Sequence, residues 1–319
     1  MPSLRPTRPR RSPGRARIVV LGDLVVDVVL KPERSLEHGT DVPGKVFFAQ
    51  GGSAATAARW LGRLGARSSL IAAIGRDAAG RALVEAIRAD GVTPRVVRVA
   101  GARTGRIGVL VTPDSERSFV TDRAAALQLE PGDLKPAWFA RADALHLPMY
   151  SLIDEPLSLA GRRGIELARG ANAAVSVDLA SIGPLLARGR RAARSLIEDI
   201  APDILFATAS EAEGLLGRYA VEGLLDLAGI AVVKRGSKGA TVLAREGDAR
   251  LRFEVATESI AATDTTGAGD AFDAGFLVGW FMSRAAGRSL PASLQRAALA
   301  GHRAAARQLT SERQELPIA

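Results

Sequence analysis

Residues 264–278, DTTGAGDAFDAGFLV, are the stretch of sequence that decides the fold. The polar residues at its start favour a strand end, Gly267-Ala268-Gly269 has almost no side chain, and apolar residues recur at helical spacing from Ala271 onward. The pattern predicts a strand, a bare loop and a helix N-terminus. Backbone N–H groups at such a terminus lack partners within the helix, and the helix dipole adds positive charge, so the loop can bind a phosphate.

One carboxylate, Asp270, falls in the first turn of the predicted helix. A carboxylate beside a phosphate site is electrostatically unfavourable unless it accepts the proton of an attacking hydroxyl. An anion hole and a base are the minimum equipment for phosphoryl transfer to an alcohol. We therefore expect Asp270 to be catalytic, with Gly267, Ala268 and Gly269 as the anion hole. The plainer alternative is a glycine-rich N-cap on a packing helix.

The same stretch resembles the C-terminal signature of the PfkB/ribokinase family of ATP-dependent sugar and nucleoside kinases. The resemblance covers about residues 17–310, with the motifs in the family's order. It implies a ribokinase-like α/β fold, in which helices flank a doubly wound, mostly parallel sheet and a small β lid lies beside it. It also implies ATP and Mg²⁺, with ATP contacts from Thr265, Gly267 and Gly269.

The alternation of strand-like and helix-like patterns along the chain favours the same parallel, doubly wound sheet. A nearly continuous apolar run over residues 17–30 predicts one buried central strand. Residues 31–50 and 95–121 contain short strands without helices between them. We expect these two segments to form the lid.

Length and composition predict one large α/β domain or two small ones, since 47% of the 319 residues are hydrophobic. We place the kinase domain at residues 17–312, between an Arg- and Pro-rich tail of residues 1–16 and a C-terminal tail of residues 313–319. The first tail is expected to be a disordered, solvated extension, and a weak contact with a polyanion or partner is the alternative. The net charge is +9, yet aromatic residues make up only 4%, so we expect no nucleic-acid partner.

Composition also argues against several classes of protein. Cys is absent, which excludes disulfides, thiolate catalysis and Cys-based zinc sites, and three histidines make a His-based metal centre improbable. No apolar run approaches the ~20 residues that span a bilayer. No apolar segment follows the basic N-terminus as it would in a secretory signal. We expect a cytoplasmic protein without a membrane partner.

A second glycine motif, Gly51-Gly52, precedes a predicted helix that begins near Ser53. Paired glycines bring backbone close to a ligand. The segment resembles the family's N-terminal signature, which implies substrate binding by Gly51, Gly52, Ser53 and Thr56. Relatives commonly carry asparagines at the last two positions, so the substrate becomes less certain. The alternative is a small-residue helix that only packs on the sheet.

The resemblance also assigns Asp27 and Arg123 to the binding of the acceptor. Asp27 corresponds to the family position that binds substrate hydroxyls, and Asp23 is a weaker candidate on the same strand. Arg123 falls where sugar kinases carry an arginine that reaches the active site, and a guanidinium there can bind a carboxylate or phosphate through two hydrogen bonds. A surface ion pair is the alternative for Arg123.

Three further motifs concern ATP and metal ions. Thr208 and Glu211 resemble the family's Asn-x-x-Glu region, which implies ATP binding and a Mg²⁺ held by Glu211 through water. The two residues also fit a capping box. Lys234, with Gly236 and Gly239 in the turn after it, resembles the strand beside ATP. Asp264 and Thr266 resemble a loop that binds a monovalent cation such as K⁺.

The sequence therefore predicts an ATP-dependent kinase that phosphorylates a hydroxymethyl group of a small sugar. A nucleoside kinase is the first alternative. A metabolite sensor on the same fold is the second, and the retained Asp270 argues against it. The sequence leaves the oligomeric state open, and a homodimer in which the lids of two copies pair edge to edge, as in some relatives, is one arrangement that it permits.

Overall fold

Thirteen strands occur in the residues that the computed structural model describes, which are 15–114, 116–217, 221–262 and 264–318. The predicted tail of residues 1–16 lies almost wholly outside these ranges. The strands are β1 (Arg17–Leu21), β2 (Val25–Pro32), β3 (Gly44–Gly51), β4 (Arg67–Gly75), β5 (Thr93–Val99), β6 (Arg106–Val111), β7 (Arg117–Asp122), β8 (Ala144–Pro148), β9 (Ala174–Asp178), β10 (Ile204–Thr208), β11 (Ile230–Lys234), β12 (Ala240–Glu246) and β13 (Ala249–Val255).

Nine of these strands form the larger sheet, in the order β13-β12-β11-β10-β9-β8-β1-β4-β5. The pairs from β11 to β5 are all parallel, and β12 and β13 add an antiparallel hairpin at one edge. The central strands β8, β9 and β10 are buried along almost their whole length, as expected for a sheet covered on both faces. The predicted mostly parallel, doubly wound sheet is confirmed.

Helices cover both faces of this sheet. Four α-helices, the first, second, seventh and eighth in chain order, pack on one face of the sheet. The other four pack on the opposite face, so that each face has its own apolar core. The α-helices among the described residues are α1 (Ser53–Arg63), α2 (Ala78–Ala89), α3 (Leu157–Gly170), α4 (Ile182–Leu186), α5 (Arg190–Ile200), α6 (Ala209–Leu216), α7 (Ala268–Ala285) and α8 (Leu290–Leu309). The sequence pattern predicts helices over residues 53–64, 77–89, 155–169, 190–199, 209–216, 267–284 and 292–307. These agree with all of the α-helices except the short α4, to within a few residues.

The lid is a separate four-stranded sheet in the order β3-β2-β6-β7. Its small apolar core contains Val29, Ala49, Val109 and Val111. Two expectations about which residues form the larger sheet and which form the lid were wrong. The apolar run of residues 17–30 is not one strand, because the chain bends at Gly22 and passes from the larger sheet into the lid. Residues 95–99 belong to β5, which pairs in parallel with β4 in the larger sheet.

The segment after α8 packs against the lid, although the sequence suggested a tail from residue 313. The Leu316 N–H donates to the Phe48 carbonyl at 2.8 Å, and Glu315 forms a β-bridge with Ala49. Leu316 is 5% exposed. The segment therefore extends the lid beyond its outer strand β3. No helix in the described part of the chain has the length and apolar character needed to cross a membrane.

Candidate active site

A cleft of about 970 Å³ lies between the carboxyl edge of the larger sheet and the lid. Three adjacent parallel strands end on polar residues that line it, namely Asp178 on β9, Thr208 on β10 and Lys234 on β11. Open α/β sheets bind ligands at this edge. Asp27 and Phe119 line the cleft from the lid side.

The N-terminus of α7 opens into the cleft. Gly267 has a φ of 77°, in the left-handed region, and a Cβ on it would lie 2.9 Å from the Thr56 methyl carbon. Glycine is therefore needed for the turn that starts the helix. The Ala268 N–H donates to the Thr265 carbonyl at 3.3 Å. In the described structure the N–H groups of Gly269 and Asp270 have no acceptor, so both can bind an anion.

Asp270 is held by a hydrogen bond from the other glycine motif. The Ser53 hydroxyl at the start of α1 donates to Asp270 Oδ1 at 2.5 Å. Burial raises the pKa of Asp270 to about 7, the negative charge of Asp178 adds to the rise, and the Ser53 hydrogen bond opposes it. A carboxylate with this pKa accepts a proton efficiently near neutral pH.

A buried ionic cluster lies directly behind this N-terminus. The Lys234 ammonium donates to Asp178 Oδ1 at 3.0 Å and to Asp273 Oδ1 at 3.1 Å, and the Asp273 side chain is fully buried. Burial alone would lower the pKa of Lys234, but Asp178, Asp273 and Glu211 outweigh it and raise the pKa. The cluster thus keeps a positive charge close to Gly269, where a Cβ would lie 3.4 Å from the Lys234 nitrogen.

The other end of the cleft is formed around Asp27 on β2. A Cβ on Gly51 would lie 1.8 Å from Asp27 Oδ1, so only glycine leaves room for this carboxylate. Arg313, from the segment after α8, forms an ion pair with Asp27 Oδ2. Burial raises the pKa of Asp27, and Arg313 opposes the rise. A Cβ on Gly52 would lie 2.4 Å from the Asp23 carbonyl oxygen, which explains the second glycine.

The comparisons with known proteins identify the family of the chain. The sequence model described as pfkB family carbohydrate kinase matches residues 15–316. This chain belongs to the pfkB family of carbohydrate kinases. It is similar to fructokinase-1 of Oryza sativa subsp. japonica, with 32% identity over 81% of each chain. Its fold resembles adenosine kinase from Sinorhizobium meliloti, with a TM-score of 0.78, 24% identity, and 93% and 95% of the two chains covered.

Another pfkB-like structure is a double mutant of the fructokinase from Vibrio cholerae O395, with fructose, ADP and potassium ion bound. It has a TM-score of 0.76 and 22% identity, and the match covers 96% of each chain. At this identity the likeness supports the fold alone. The ribokinase-like fold class predicted from the sequence is confirmed.

Arg123 occupies the cleft wall of this pfkB-family protein, but its guanidinium already has partners. Nε donates to Asp23 Oδ2 at 2.9 Å, and Nη2 donates to Asp23 Oδ1 at 2.6 Å and to the Tyr150 carbonyl at 3.2 Å. The Arg123 guanidinium is therefore not free to bind a substrate anion, which was the first possibility considered from the sequence. It does not form a surface ion pair either, which was the second. Its side chain is 12% exposed, so Arg123 and Asp23 together form a rigid part of the wall.

The other predicted residues differ in how close they come to the cleft. Thr208 and Glu211 line it and form the expected capping box, in which the Thr208 N–H donates to Glu211 Oε2 at 2.8 Å. Burial and the nearby Asp178 raise the pKa of Glu211. Gly236 and Gly239 form the turn between β11 and β12 and do not line the cleft.

Thr56 and the loop before α7 complete the placement of the predicted residues. The Thr56 hydroxyl donates to the Gly52 carbonyl at 3.0 Å within its own helix turn. Thr265 and Thr266 line the cleft, and Asp264 Oδ1 accepts the Thr266 N–H at 2.9 Å.

Three residues that the sequence analysis did not single out carry charge in this kinase fold: Asp178, Asp273 and Arg313. Asp178 is the last residue of a buried strand. This position could have been recognised as part of the site, because the carboxyl ends of parallel strands meet at the edge of the sheet where ligands bind. Asp273 follows Asp270 by three residues, which places both on one helix face. Arg313 has no local signal, since its partner Asp27 lies 286 residues earlier in the chain.

Proposed function

We propose that this pfkB-family protein transfers the γ-phosphoryl group of ATP to a hydroxymethyl group of a small sugar. The observation that carries the proposal is the Ser53–Asp270 hydrogen bond at the open N-terminus of α7. It puts an oriented base with a pKa of about 7 beside two unpaired N–H groups. The similarity to rice fructokinase-1 supports a sugar as the acceptor class.

In the proposed reaction, Asp270 takes the proton of the acceptor hydroxyl while the hydroxyl oxygen attacks the γ-phosphorus. The bond from the γ-phosphorus to the β,γ-bridging oxygen breaks, and ADP leaves. The N–H groups of Gly269 and Asp270 donate to the γ-phosphoryl oxygens as charge collects on them. The Ala268 N–H also donates to the phosphoryl group if the phosphate displaces the Thr265 carbonyl, to which this N–H forms a long hydrogen bond of 3.3 Å. The lid over the cleft positions the acceptor and excludes water.

ATP is proposed to bind with its phosphates between α7 and the ends of β9, β10 and β11. Lys234, Thr208 and Thr265 line this end of the cleft, and the turn at Gly236 and Gly239 is assigned to the nucleotide ribose. The carboxylates of Glu211 and Asp178 also line it, and one or two carboxylates plus phosphates suit Mg²⁺. Glu211 would hold the Mg²⁺ that accompanies ATP through water, and the ion would supply charge neutralisation at the phosphates.

The acceptor is proposed to bind at the other end, between Asp27, Gly51-Gly52 and the lid. Asp27 can accept hydrogen bonds from two neighbouring hydroxyls once Arg313 moves aside. Ser53 and Thr56 lie at the boundary between acceptor and phosphate. The Arg123–Asp23 pair forms the wall behind the acceptor.

A nucleoside acceptor is the second candidate, because the lid side of the cleft offers Ile107, Phe119 and Tyr150 as an apolar slot for a base. The resemblance to the Sinorhizobium meliloti adenosine kinase concerns the fold alone. The non-catalytic sensor is disfavoured by the oriented Asp270. These alternatives make different predictions in one assay.

The test is ADP release with Mg-ATP over fructose, ribose, 2-keto-3-deoxygluconate, inositol, adenosine and other nucleosides. We expect release that depends on a sugar and is lost in Asp270→Asn. Asp41→Asn, a substitution on an exposed loop, is the matched control and should keep full activity. Release with nucleosides alone would favour the second candidate. ATP binding without release from any acceptor would support the sensor.

We also propose a cytoplasmic homodimer that pairs through the lid. Strand β7 is an edge of the lid sheet, and Val120 on it is 79% exposed. Exposed edge strands readily pair with another copy. Sedimentation velocity should give a dimer for the wild type and a monomer for Val120→Lys. A wild-type monomer at high concentration would refute the pairing.

A further inference from the structure

The loop at Asp264 and Thr266 was expected to bind K⁺, yet its oxygen atoms already face donors from the same chain. Asp264 Oδ1 accepts the Thr266 N–H at 2.9 Å, and the Thr266 carbonyl accepts Gln308 Nε2 at 2.9 Å. The Thr266 hydroxyl accepts Arg117 Nη1 at 3.5 Å. Asp264 Oδ2 lies 3.7 Å from the Lys31 ammonium nitrogen. A metal ion here would bind through the same carboxylate, carbonyl and hydroxyl oxygens, so it would have to compete with these donors.

The charges around the loop leave no uncompensated negative charge for an ion. Lys31, Arg117 and Arg313 are the cations, and Asp264 and Asp27 are the carboxylates beside them. Burial would raise the pKa of Asp264, but the Thr266 hydrogen bonds together with Arg313 and Lys31 outweigh it and lower the pKa. Both Asp264 Oδ2 and Arg313 Nη1 are buried without a hydrogen bond, so their charges are compensated through space. A further cation would leave this buried group with an excess positive charge.

These residues do not fit a monovalent cation. We propose that the Lys31 ammonium, supported by Arg313, supplies the positive charge at the Asp264–Thr266 loop, so that turnover is independent of K⁺. The inference rests on the proposed kinase function of the cleft. It concerns what holds the loop that precedes the anion hole in the correct shape.

The cations that serve the loop come from the lid or from the segment attached to it. Lys31 lies on β2 and Arg117 on β7, while Arg313 precedes the residues that pair with β3. The lid therefore carries the charge that a bound ion would otherwise provide. The contacts of Lys31 and Arg117 with Asp264 and Thr266 connect the position of the lid to the shape of this loop.

The first measurement is turnover with the acceptor that the screen identifies, in chloride salts of K⁺, Na⁺ and choline at equal ionic strength. We expect wild-type rates to agree within about twofold. Lys31→Met should lose about tenfold in choline and regain at least threefold in K⁺, because the vacated space and carboxylate can then hold an ion. Stimulation of the wild type by tenfold or more in K⁺ would overturn the proposal. Unchanged turnover in Lys31→Met would do the same.

Lys45→Met is the matched control. Lys45 lies directly opposite Lys31 in the register of β2 and β3, and it has no ion pair with another described residue. The same charge is removed from the same sheet without touching the loop. Its rates should equal those of the wild type in all three salts.

Thermal unfolding in the same salts separates this inference from the proposed function. A ligand that binds the folded state raises Tm, so K⁺ should raise the Tm of Lys31→Met relative to choline but leave the wild type unchanged. This readout needs no acceptor and no turnover. A higher wild-type Tm in K⁺, or no K⁺ effect on Lys31→Met, would count against the proposal. Absence of turnover with every acceptor would count against the kinase function instead.

Discussion

At the phosphate end of the cleft, charged groups lie on the ends of adjacent parallel strands and on the first turn of α7. At the acceptor end, the charges come from the lid, from the segment after α8 and from the wall at Arg123. The first set is fixed by the larger sheet and α7, whereas the second set is held by ion pairs among the lid, the loops and the segment after α8. We therefore expect the phosphate end to keep its shape and the acceptor end to adjust when a ligand enters.

The largest expected effect is at the base, on the phosphate side of the comparison. Asp270→Asn should lower turnover by about 10²–10⁴-fold while ATP binding is retained. Its pKa is raised to about 7 in the folded protein, so ionising it costs folding free energy as pH rises from about 4 to 7. The variant should therefore unfold at an equal or higher temperature than the wild type at pH 8. Normal turnover, measured by ADP release, would contradict the assignment.

The next effect concerns stability. Lys234→Met leaves the buried carboxylates of Asp178 and Asp273 without their cation and should cost about 3–5 kcal/mol in the free energy of unfolding. Urea titration measures the loss. Arg313→Met, which breaks the ion pair at the acceptor end, is the comparison variant and should cost clearly less. Equal losses would remove the distinction between a rigid end and an adjustable end.

A smaller effect is expected at Ser53, which joins the two ends. Ser53→Ala removes the hydrogen bond that stabilises ionised Asp270, so turnover near pH 7 should fall about tenfold. The acid limb of the kcat/KM profile should lie near pH 7 in the wild type, from the pKa of about 7 for Asp270, and should move to higher pH in the variant. Thr56→Val, which alters a hydroxyl bonded only within its own helix turn, should leave the limb in place. An unmoved limb in Ser53→Ala would show that the base is set by other groups.

The smallest effect is predicted for the acceptor. Arg313→Gln removes the cation that competes with acceptor hydroxyls for Asp27, so the acceptor KM should fall about threefold, and kcat should fall by less than the tenfold expected for Lys31→Met. Steady-state kinetics at saturating ATP gives both constants. A higher KM would mean that Arg313 contacts the acceptor itself.

The same division explains how much the sequence could reveal. The anion loop, Asp270 and the capping box at Thr208 lie within short segments whose spacing alone predicts their local structure. The strand over residues 17–30 was misjudged because both parts of the run are apolar, and only Gly22 marks the bend. The pairing of Arg123 with Asp23 joins residues 100 positions apart. No local pattern encodes such a contact.

The pairing of the segment around Leu316 with the lid has a consequence for synthesis on the ribosome. After Asp27 is made, 286 further residues must follow before Arg313 can reach it. Until then strand β3 of the nascent lid has an open edge, and Asp27 lacks its cation. The growing polypeptide can therefore form much of its larger sheet while its acceptor end is still incomplete, and the segment after α8 then covers the β3 edge of the lid.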